Sequence, residues 1–508
     1  MAGFGRVLSL AVVVILVGGG CGSSPSGDVT GQSRPLFQVH ACPFSVTGGA
    51  FKGAIRCGYV LVPEERSARG SPTVRLAVAI FKAPGPHPAP DPLVYLIGGP
   101  GGYVVGPMGS SIVRMGLPDY VGNRDLILVD QRGTGLSQPA PTCPELYAAR
   151  DEALTEHLSN VPKSDLLVKA LRACRVRLAR EGVDLTAFNT AESAADISDL
   201  RTALGYKQID LYGGSYGSDL VQQVMLDHPP GIRSVVMDAV VIPRFKLVDE
   251  IPNLWHSLRL LFKTCAADKA VCSILYPHLQ QSLVKAVRRL QSHPPTIHVL
   301  FPDVNRTYEV TLDSVELLAT LRSALMDPWY VPLLPKLISE MSKGDYQTAR
   351  LLENDLGFAN DIFTPYVAMS LSMSCTSNVV RFSKTQVVKA ALVFPPVLRA
   401  AAGAQADTML RACAVWKVPF VPAANHPYFR SRLPSLLLPG AFDPNNSPAQ
   451  EAALAGHLTH SRVVSFPTLS HVVVGTGSCP DDIMQAFLDN PQRKPDTRCV
   501  HHLFIAWQ

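Results

Sequence analysis

The sequence of 508 residues is poor in charge. Asp, Glu, Lys and Arg make up 17% of it, whereas hydrophobic residues make up 47%. The net charge of +5 is spread along the chain without a Lys/Arg run interleaved with aromatic residues, so nucleic acid is not an implied partner. This composition excludes a largely disordered protein and favours a globular chain with one large domain carrying an insertion, or two domains.

Motifs for metals and phosphates are also absent. The chain has no CxxC pair and no His/Cys cluster at ligand spacing, so we expect neither a metal centre nor another cofactor. The glycine-rich segment from Ile97 to Gly102 lacks the GxxxxGK[ST] arrangement of a phosphate-binding loop. Its glycines therefore need another explanation.

The N-terminus has an apolar run that is too short to span a bilayer. Residues Val7–Val17 follow Arg6 and precede three glycines and Cys21, and a spanning helix needs about 20 residues. The run fits the apolar region of an export signal, so we predict a signal peptide over 1–21 and a flexible tether over 22–40. Cys21 is a candidate lipidation site of a lipoprotein; the alternative is a secreted protein cleaved nearby by ordinary signal peptidase.

The cysteine count agrees with export. Of 11 cysteines, Cys21 is set apart, and the even remainder of ten in an exported chain indicates disulfides. Because neighbours along the sequence form compact couples, we predict five bridges. These are Cys42–Cys57, Cys143–Cys174, Cys265–Cys272, Cys375–Cys413 and Cys479–Cys499.

Strand-like and helix-like segments alternate along the chain. Continuous apolar runs such as Leu93–Ile97 and Leu126–Val129 are typical of central parallel strands that are covered on both faces. The pattern therefore predicts an α/β fold with a mostly parallel sheet. We assign residues 41–240 to the first part of the core, 241–433 to an inserted, mainly helical cap, and 434–508 to the second part of the core.

The most informative segment is LYGGSYGSDL, residues 211–220. Ser215 lies between a strand-like and a helix-like run, with Gly213 two residues before it and Gly217 two residues after it. A sharp strand-to-helix turn needs small residues at those places, and it presents the serine as a nucleophile. Ser215 is therefore our candidate nucleophile; the alternative is a small-residue turn without chemistry.

A nucleophilic serine needs a base, an acid that orients the base, and donors to an oxyanion. Asp443 and His471 follow the last two predicted strands, and the order serine, acid, histidine is that of α/β hydrolases. Asp238 closes an earlier strand and is the reserve candidate for the acid. His457 and His460 precede the last strand, and His501 and His502 belong to the tail, so His471 is the candidate base.

The glycine loop Ile97–Gly102 would supply one oxyanion donor. Glycines allow the backbone to come close to a substrate carbonyl, and the second donor in this fold class is the N–H of the residue after the serine. We therefore predict the backbone N–H groups of Gly99 and Tyr216 as the oxyanion hole.

Taken together, these motifs resemble the exported tripeptidyl aminopeptidases and related proline iminopeptidases, which are serine peptidases of the α/β-hydrolase superfamily. The resemblance is carried by GGPGG (98–102), DQRGTGLS (130–137), GGSYGS (213–218), GAFDP (440–444) and PDTRC (495–499). It implies removal of residues or short peptides from free N-termini through an acyl-enzyme. It assigns Ser215, Asp443 and His471 to catalysis, and Asp130 and Arg132 to supporting loops beneath the site.

Two positions depart from the family pattern. Ile97 stands where relatives often have a histidine, and Ser377, two residues after Cys375, stands where many have an acidic residue that holds the substrate ammonium. A neutral Ser377 predicts weak discrimination between free and blocked N-termini, because a buried ammonium needs a compensating carboxylate. The competing functions are a cell-envelope carboxylesterase with the same triad and an inactive hydrolase-fold binding protein.

Overall fold

A computed structural model describes residues 35–301, 305–356 and 366–508. The predicted signal peptide (1–21), Cys21 and most of the predicted tether lie outside the described residues. The tether assignment 22–40 is wrong at its end, because residues 36–40 form an edge strand paired with the strand that follows. The backbone hydrogen bonds of the segment LFQVH to a neighbouring strand outweigh the freedom of a linker.

The described chain contains eleven strands in two sheets. They are β1 (Leu36–His40), β2 (Ile55–Pro63), β3 (Thr73–Phe81), β4 (Leu93–Leu96), β5 (Leu126–Val129), β6 (Ile209–Gly214), β7 (Ile232–Asp238), β8 (Thr296–Phe301), β9 (Arg306–Thr311), β10 (Ser435–Leu438) and β11 (Ser461–Val463). Nine of them form one sheet in the order β1-β2-β3-β5-β4-β6-β7-β10-β11. The neighbours from β5 to β11 pair in parallel, whereas β1, β2 and β3 pair in antiparallel fashion.

Helices cover both faces of the sheet and fill the insertion. They are α1 (Pro107–Met115), α2 (Pro144–Thr155), α3 (Asn160–Arg180), α4 (Thr190–Leu204), α5 (Tyr216–Asp227), α6 (Glu250–Ala267), α7 (Cys272–Leu275), α8 (Leu279–Ser292), α9 (Ser314–Met326), α10 (Leu334–Lys343), α11 (Gln347–Leu356), α12 (Val367–Thr376), α13 (Lys384–Ala391), α14 (Arg399–Trp416), α15 (Pro448–Ala455) and α16 (Ser478–Asp489). Strands β4, β5, β6 and β10 are buried along their whole length, apart from partly buried Tyr95. This explains their continuous apolar runs.

The insertion between β7 and β10 is mainly helical, as the sequence predicts, and it has its own apolar core. It also contains a hairpin, β8–β9, whose alternating burial pattern fits a strand with one covered face. Helices α2 and α3, which the sequence assigns to the core region, share a buried cluster with α12 and α14 of the insertion. The cap layer is therefore assembled from two separate segments of the chain.

All five predicted cysteine pairs form disulfides in the structure, with Cα–Cα distances between 5.1 and 5.7 Å. Three of them lie in or beside the cap layer; Cys265–Cys272 joins α6 to the short helix α7, and the other two join longer helices of one buried cluster. Cys143–Cys174 links the start of α2 to α3, and Cys375–Cys413 links α12 to α14. Each fixes a pair of elements that is also packed through apolar side chains.

Candidate active site

Ser215 lies on the turn between β6 and α5, as the sequence predicts. Its backbone has φ +55° and ψ −127°, a conformation that non-glycine residues rarely adopt and that marks strain at functional turns. A Cβ atom on Gly213 would lie 2.3 Å from the carbonyl oxygen of Gly217, and one on Gly217 would lie 2.1 Å from that of Leu96. Only glycine fits at these two places, so the GxSxG spacing is a packing requirement of the turn.

Hydrogen bonds on both sides hold the strained turn. The Ser215 N–H donates to the carbonyl of Asp238 at the end of β7, over 2.9 Å. The Ser218 hydroxyl donates to the Ser215 carbonyl over 2.6 Å and accepts from the N–H of Val241. The turn is thereby tied both to the next strand and to the chain that leads into the cap.

Asp443 and His471 are hydrogen-bonded to each other. The distance between His471 Nδ1 and Asp443 Oδ2 is 2.8 Å, and both side chains are buried. The other carboxylate oxygen of Asp443 accepts from the backbone N–H groups of Asn445 (2.8 Å) and Asn446 (3.0 Å). The carboxylate is thus fixed from behind, with one oxygen directed at the imidazole.

Two opposing effects act on the pKa of His471. Burial alone lowers it, because a charged ring is poorly solvated there, but the adjacent Asp443 carboxylate favours the charged ring and the net effect is a raised pKa. The ring is therefore a stronger base than an ordinary histidine. The hydrogen bond at Nδ1 leaves Nε2 as the nitrogen available to a proton donor.

Asp238, the reserve candidate for the acid, has different partners. Its carboxylate accepts from the backbone N–H groups of Val473 and Val474, both at 2.9 Å, and from the hydroxyl of Tyr212 at 3.1 Å. Burial raises its pKa to about 6, although the two backbone donors oppose that rise. Asp238 therefore holds the backbone just after His471, whereas Asp443 contacts the ring itself.

The other candidate histidines lie away from this pair. The carbonyl of His460 accepts from Ser435, the first residue of β10, so His460 lies at the opposite end of the strand from Asp443. His457 stacks on Tyr428 with ring centroids 4.8 Å apart. His501 and His502 are exposed in the tail.

The glycine loop lies directly against the serine turn. A Cβ atom on Gly98 would lie 2.6 Å from the carbonyl oxygen of Gly214, 2.7 Å from Cβ of Ser215 and 3.2 Å from the nitrogen of Tyr216. Gly99 adopts φ +119°, a backbone conformation that favours glycine. The structure thus brings Gly99 and Tyr216, the two predicted oxyanion donors, to the same place as Ser215.

The DQRGTGLS segment supports this loop from below. Asp130 accepts from the N–H groups of Val104 and Val105 through one oxygen and from Leu136 through the other. The fully buried Arg132 makes a bidentate contact with Asp196, with both distances 2.7 Å. These contacts agree with the supporting role that the resemblance implies for Asp130 and Arg132.

A cavity of about 660 Å³ lies between the sheet and the cap layer. Ser215, Tyr216, Gly99 and His471 all line it. Residues next to the serine and the histidine are also close, since a Cβ atom on Gly214 would lie 3.3 Å from Cγ2 of Val472. The serine, histidine and glycine loop thus share one chamber that is large enough for a small ligand.

Most side chains that line the cavity are apolar, and its charged groups occur in pairs. The charged residues that line it are Lys163 (paired with Glu316, 3.2 Å), Glu250 and Arg322 (paired with each other, 2.9 Å) and Asp219 (paired with His426, 3.0 Å). Arg322 also donates to Asn445, 3.1 Å away, and this places it near the loop that carries Asp443. The cavity therefore combines an apolar wall with a few fixed charges.

Ser377, the predicted substrate-binding position, lines the cavity at the end of α12. Its hydroxyl donates to the carbonyl of Ser374 over 2.9 Å and caps the turn that follows. The sequence reasoning missed Asp219, which also lines the cavity. Its position four residues after Ser215, one helical turn along α5, is a signal that could have identified it.

In the described part of the chain, Cys143, Glu145 and Cys174 form the one cluster of three residues with metal-ligand side chains. The two sulfur atoms are joined in a disulfide, and thiolates rather than disulfides bind metals. This cluster is therefore explained without a metal.

Family comparisons agree with the fold and the site. The model for the α/β-hydrolase fold matches residues 91–273, and the model for TAP-like proteins matches residues 399–499. Tripeptidyl aminopeptidase from Streptomyces lividans is 30% identical over 207 residues, which are 37% of this chain and 36% of that protein. Serine protease Hip1 from Mycobacterium tuberculosis is 25% identical over 232 residues, which are 43% and 42% of the two chains.

The matched segments therefore span about two fifths of the length of these curated relatives. Among solved structures, the α/β hydrolase MGS-M2 from a Medee basin deep-sea metagenome library covers 84% of this chain and 97% of its own, with a TM-score of 0.37 and 12% identity. The esterase EaEST from Exiguobacterium antarcticum covers 83% and 96%, with a TM-score of 0.35 and 10% identity.

A strained GxSxG serine at the end of a central parallel strand and a histidine beyond the last strand agree with the matches to both models. The chain has the α/β-hydrolase fold, and its residues 399–499 match the model for TAP-like proteins.

Proposed function

We propose that the protein is a serine hydrolase of the peptidase type that releases residues or short peptides from peptide N-termini. The observation that carries this proposal is the 2.8 Å hydrogen bond between Asp443 and His471. His471 lines the same cavity as Ser215, the serine of the strained turn. An oriented imidazole and a serine that line one chamber are the parts that acyl transfer requires.

In the proposed reaction, the Ser215 hydroxyl transfers its proton to Nε2 of His471 as its oxygen attacks the substrate carbonyl. The negative charge that develops on the carbonyl oxygen is stabilised by the N–H groups of Gly99 and Tyr216. His471 then gives the proton to the departing amine, and the acyl group stays on Ser215. A water molecule, deprotonated by His471, attacks the acyl-enzyme and regenerates the serine.

Asp443 has two tasks in this scheme. Its hydrogen bond to Nδ1 fixes the tautomer that presents a free Nε2, and its charge stabilises the imidazolium formed during attack. The backbone donors of Asn445 and Asn446 keep the carboxylate in place. Asp238 acts on His471 indirectly, because it positions the backbone at Val473 and Val474.

The peptidase assignment is supported by the curated relatives, which include a tripeptidyl aminopeptidase and a serine protease. A carboxylesterase is the second candidate, because the same triad cleaves esters and the cavity wall is largely apolar. Neutral Ser377 also lacks the charge that the resemblance associates with peptide amines.

The experiment that separates these functions uses the wild-type protein, one control variant and three reagents. Labelling of Ser215 by a fluorophosphonate probe would establish an activated nucleophile, with Ser215→Ala as the control. Turnover of peptide anilides and of short acyl esters would then be compared by kcat/KM. A labelled protein that cleaves esters but no peptide anilide would refute the peptidase proposal, and a wild-type protein that is never labelled would refute both functions.

We also propose that the protein is exported. Five disulfides support this, because they persist in oxidising compartments. Within the residues that the structure describes, no helix is long and apolar enough to cross a membrane. If Cys21 is lipidated, Cys21→Ser should move the protein from the membrane to the soluble fraction; an unchanged distribution would instead favour secretion after ordinary cleavage.

A further inference from the structure

An aminopeptidase must compensate the positive charge of the substrate N-terminus when it enters a largely apolar cavity. Ser377 has no charge, and its hydroxyl is already bonded to the carbonyl of Ser374. A carboxylate must therefore come from elsewhere in the cavity wall. Two acidic side chains line the cavity, Asp219 and Glu250.

Asp219 lies against the same chain segment as Ser377. The carbonyl of Thr376 accepts from the backbone of Val421 (2.9 Å) and from the side chain of Asn425 (3.3 Å). His426, the next residue, hydrogen-bonds through Nε2 to Asp219 Oδ1 at 3.0 Å. The hydrogen bond from Asn425 to Thr376 therefore links Ser377 to the segment that contacts Asp219. Both Ser377 and Asp219 line the same cavity.

The two oxygens of Asp219 have different environments. Oδ1 is bonded to His426, whose side chain is only 2% exposed, whereas the Asp219 side chain is 23% exposed. Among the described residues, Oδ2 has no hydrogen-bond partner in the protein. A carboxylate accepts several hydrogen bonds, so His426 can orient Asp219 while Oδ2 receives a ligand.

Glu250 is the less suitable acid. It is paired at 2.9 Å with Arg322, whose guanidinium stays charged at every accessible pH. A substrate ammonium at Glu250 would compete with that fixed cation. Asp219 instead faces His426, which can lose its proton; the pKa of this ring is raised, because Asp219 favours the charged form more than burial disfavours it.

Asp219 is also close to the nucleophile along the helix. Four residues of an α-helix rise about 6 Å, so the carboxylate lies about one turn from Ser215. An extended peptide whose scissile carbonyl is at Ser215 places its N-terminus within that short range when few residues precede the cleaved bond. This is the geometry of an exopeptidase.

We propose that Asp219, oriented by His426, is the carboxylate that binds the α-ammonium group of the substrate peptide. The proposal rests on the proposed peptidase function and deepens it, because it assigns the residue that selects free N-termini. It also replaces the sequence-based expectation of weak discrimination: the charge that position 377 lacks is supplied from α5 of the core.

The test measures how well a peptide protects Ser215 from a fluorophosphonate probe. Trialanine amide and its N-acetylated form would compete with labelling of the wild-type protein and of Asp219→Asn. The matched control is Asp227→Asn, an exposed aspartate on the same helix outside the cavity. Glu250→Gln is the comparison for the second acid.

A charge-assisted hydrogen bond corresponds to about a ten- to hundredfold difference in affinity. We expect the free-amine peptide to protect wild type and Asp227→Asn at about ten- to hundredfold lower concentration than the acetylated peptide, and Asp219→Asn to show a ratio near one. Asparagine retains an acceptor for His426; if it nevertheless fails to fold, Asp219→Ser provides the same charge removal.

An unchanged preference in Asp219→Asn, or a preference that only Glu250→Gln removes, would overturn the assignment while the peptidase proposal stands. A wild-type protein that is labelled and shows no preference would overturn it as well. The failure of the proposed function has a different signature, namely no labelling of Ser215, or labelling without turnover of any peptide anilide.

Discussion

Replacing Asp443 with asparagine should abolish most of the turnover without changing the shape of the site. The backbone N–H groups of Asn445 and Asn446 both point at one carboxylate oxygen, so the amide oxygen of the new asparagine would take that place. Its NH2 group would then face His471 Nδ1 across the 2.8 Å now occupied by a hydrogen bond. The ring would have to accept there and carry its proton on Nε2.

A ring protonated on Nε2 cannot accept the proton of Ser215. Holding the wrong tautomer in an otherwise intact triad lowers kcat by about 10⁴-fold, which corresponds to about 5 kcal/mol of transition-state stabilisation. Asp443→Asn should therefore show that loss in kcat on any substrate that the wild-type enzyme cleaves. Its thermal unfolding should stay close to that of the wild type.

Asp238→Asn is the matched comparison, since it makes the same chemical change at the end of the neighbouring strand. One asparagine oxygen cannot replace both acceptors of Val473 and Val474, so one buried N–H loses its partner at a cost of about 1–3 kcal/mol in stability. The ring of His471 keeps its hydrogen bond, so kcat should fall much less. If Asp238→Asn loses more turnover than Asp443→Asn while both are folded, the assignment of the acid is wrong.

Three further changes test other parts of the site. Ser215→Ala should abolish fluorophosphonate labelling and reduce turnover to the residual level due to binding and the oxyanion donors, with thermal unfolding unchanged; a folded variant with near-wild-type turnover would end the mechanism. Because the pKa of His471 is raised and the base must be neutral, kcat/KM should increase with pH through an apparent pKa above 6.5. An apparent pKa below 6.5 would contradict a raised pKa of His471. Gly98→Ala should inactivate the enzyme, since its Cβ would lie 2.7 Å from that of Ser215, whereas Gly106→Ala, which meets nothing within 4 Å, should not.

Local patterns in the sequence predict the parts of the fold that depend on local chemistry. The apolar run Leu126–Val129 is a buried strand because both of its faces are covered. The glycines around Ser215 predict the turn because no other residue fits there. The disulfide pairs follow from neighbouring cysteines that are brought together by the elements between them.

Features that depend on distant contacts could not be predicted in this way. Helices α2 and α3 have ordinary helical patterns, and only their packing against α12 and α14 assigns them to the cap layer. The sequence of β1 alone predicts the end of a linker; the segment is a strand because it pairs with β2. Asp219 and His426 are 207 residues apart in sequence, so no spacing rule joins them.

The division of tasks between Asp238 and Asp443 follows from the sheet. Asp238 ends β7 level with Leu438 of β10, so its short side chain reaches the backbone beyond His471 but not the ring. Asp443 lies five residues after Leu438, on the turn that leaves β10, and this turn carries its carboxylate to the imidazole. Both aspartates follow strand ends, so the strand pattern alone does not show which one contacts His471. The turn after β10 makes the difference, because it carries Asp443 to the imidazole.

A third carboxyl group, that of Glu451, lies close to Asp443 and Asp238. Glu451, at the start of α15, is completely buried. Burial raises its pKa well above the usual value, and the nearby Asp443 and Asp238 raise it further. Glu451 is therefore easier to protonate than an ordinary glutamate, and the carboxyl group that contacts His471 at Nδ1 is that of Asp443.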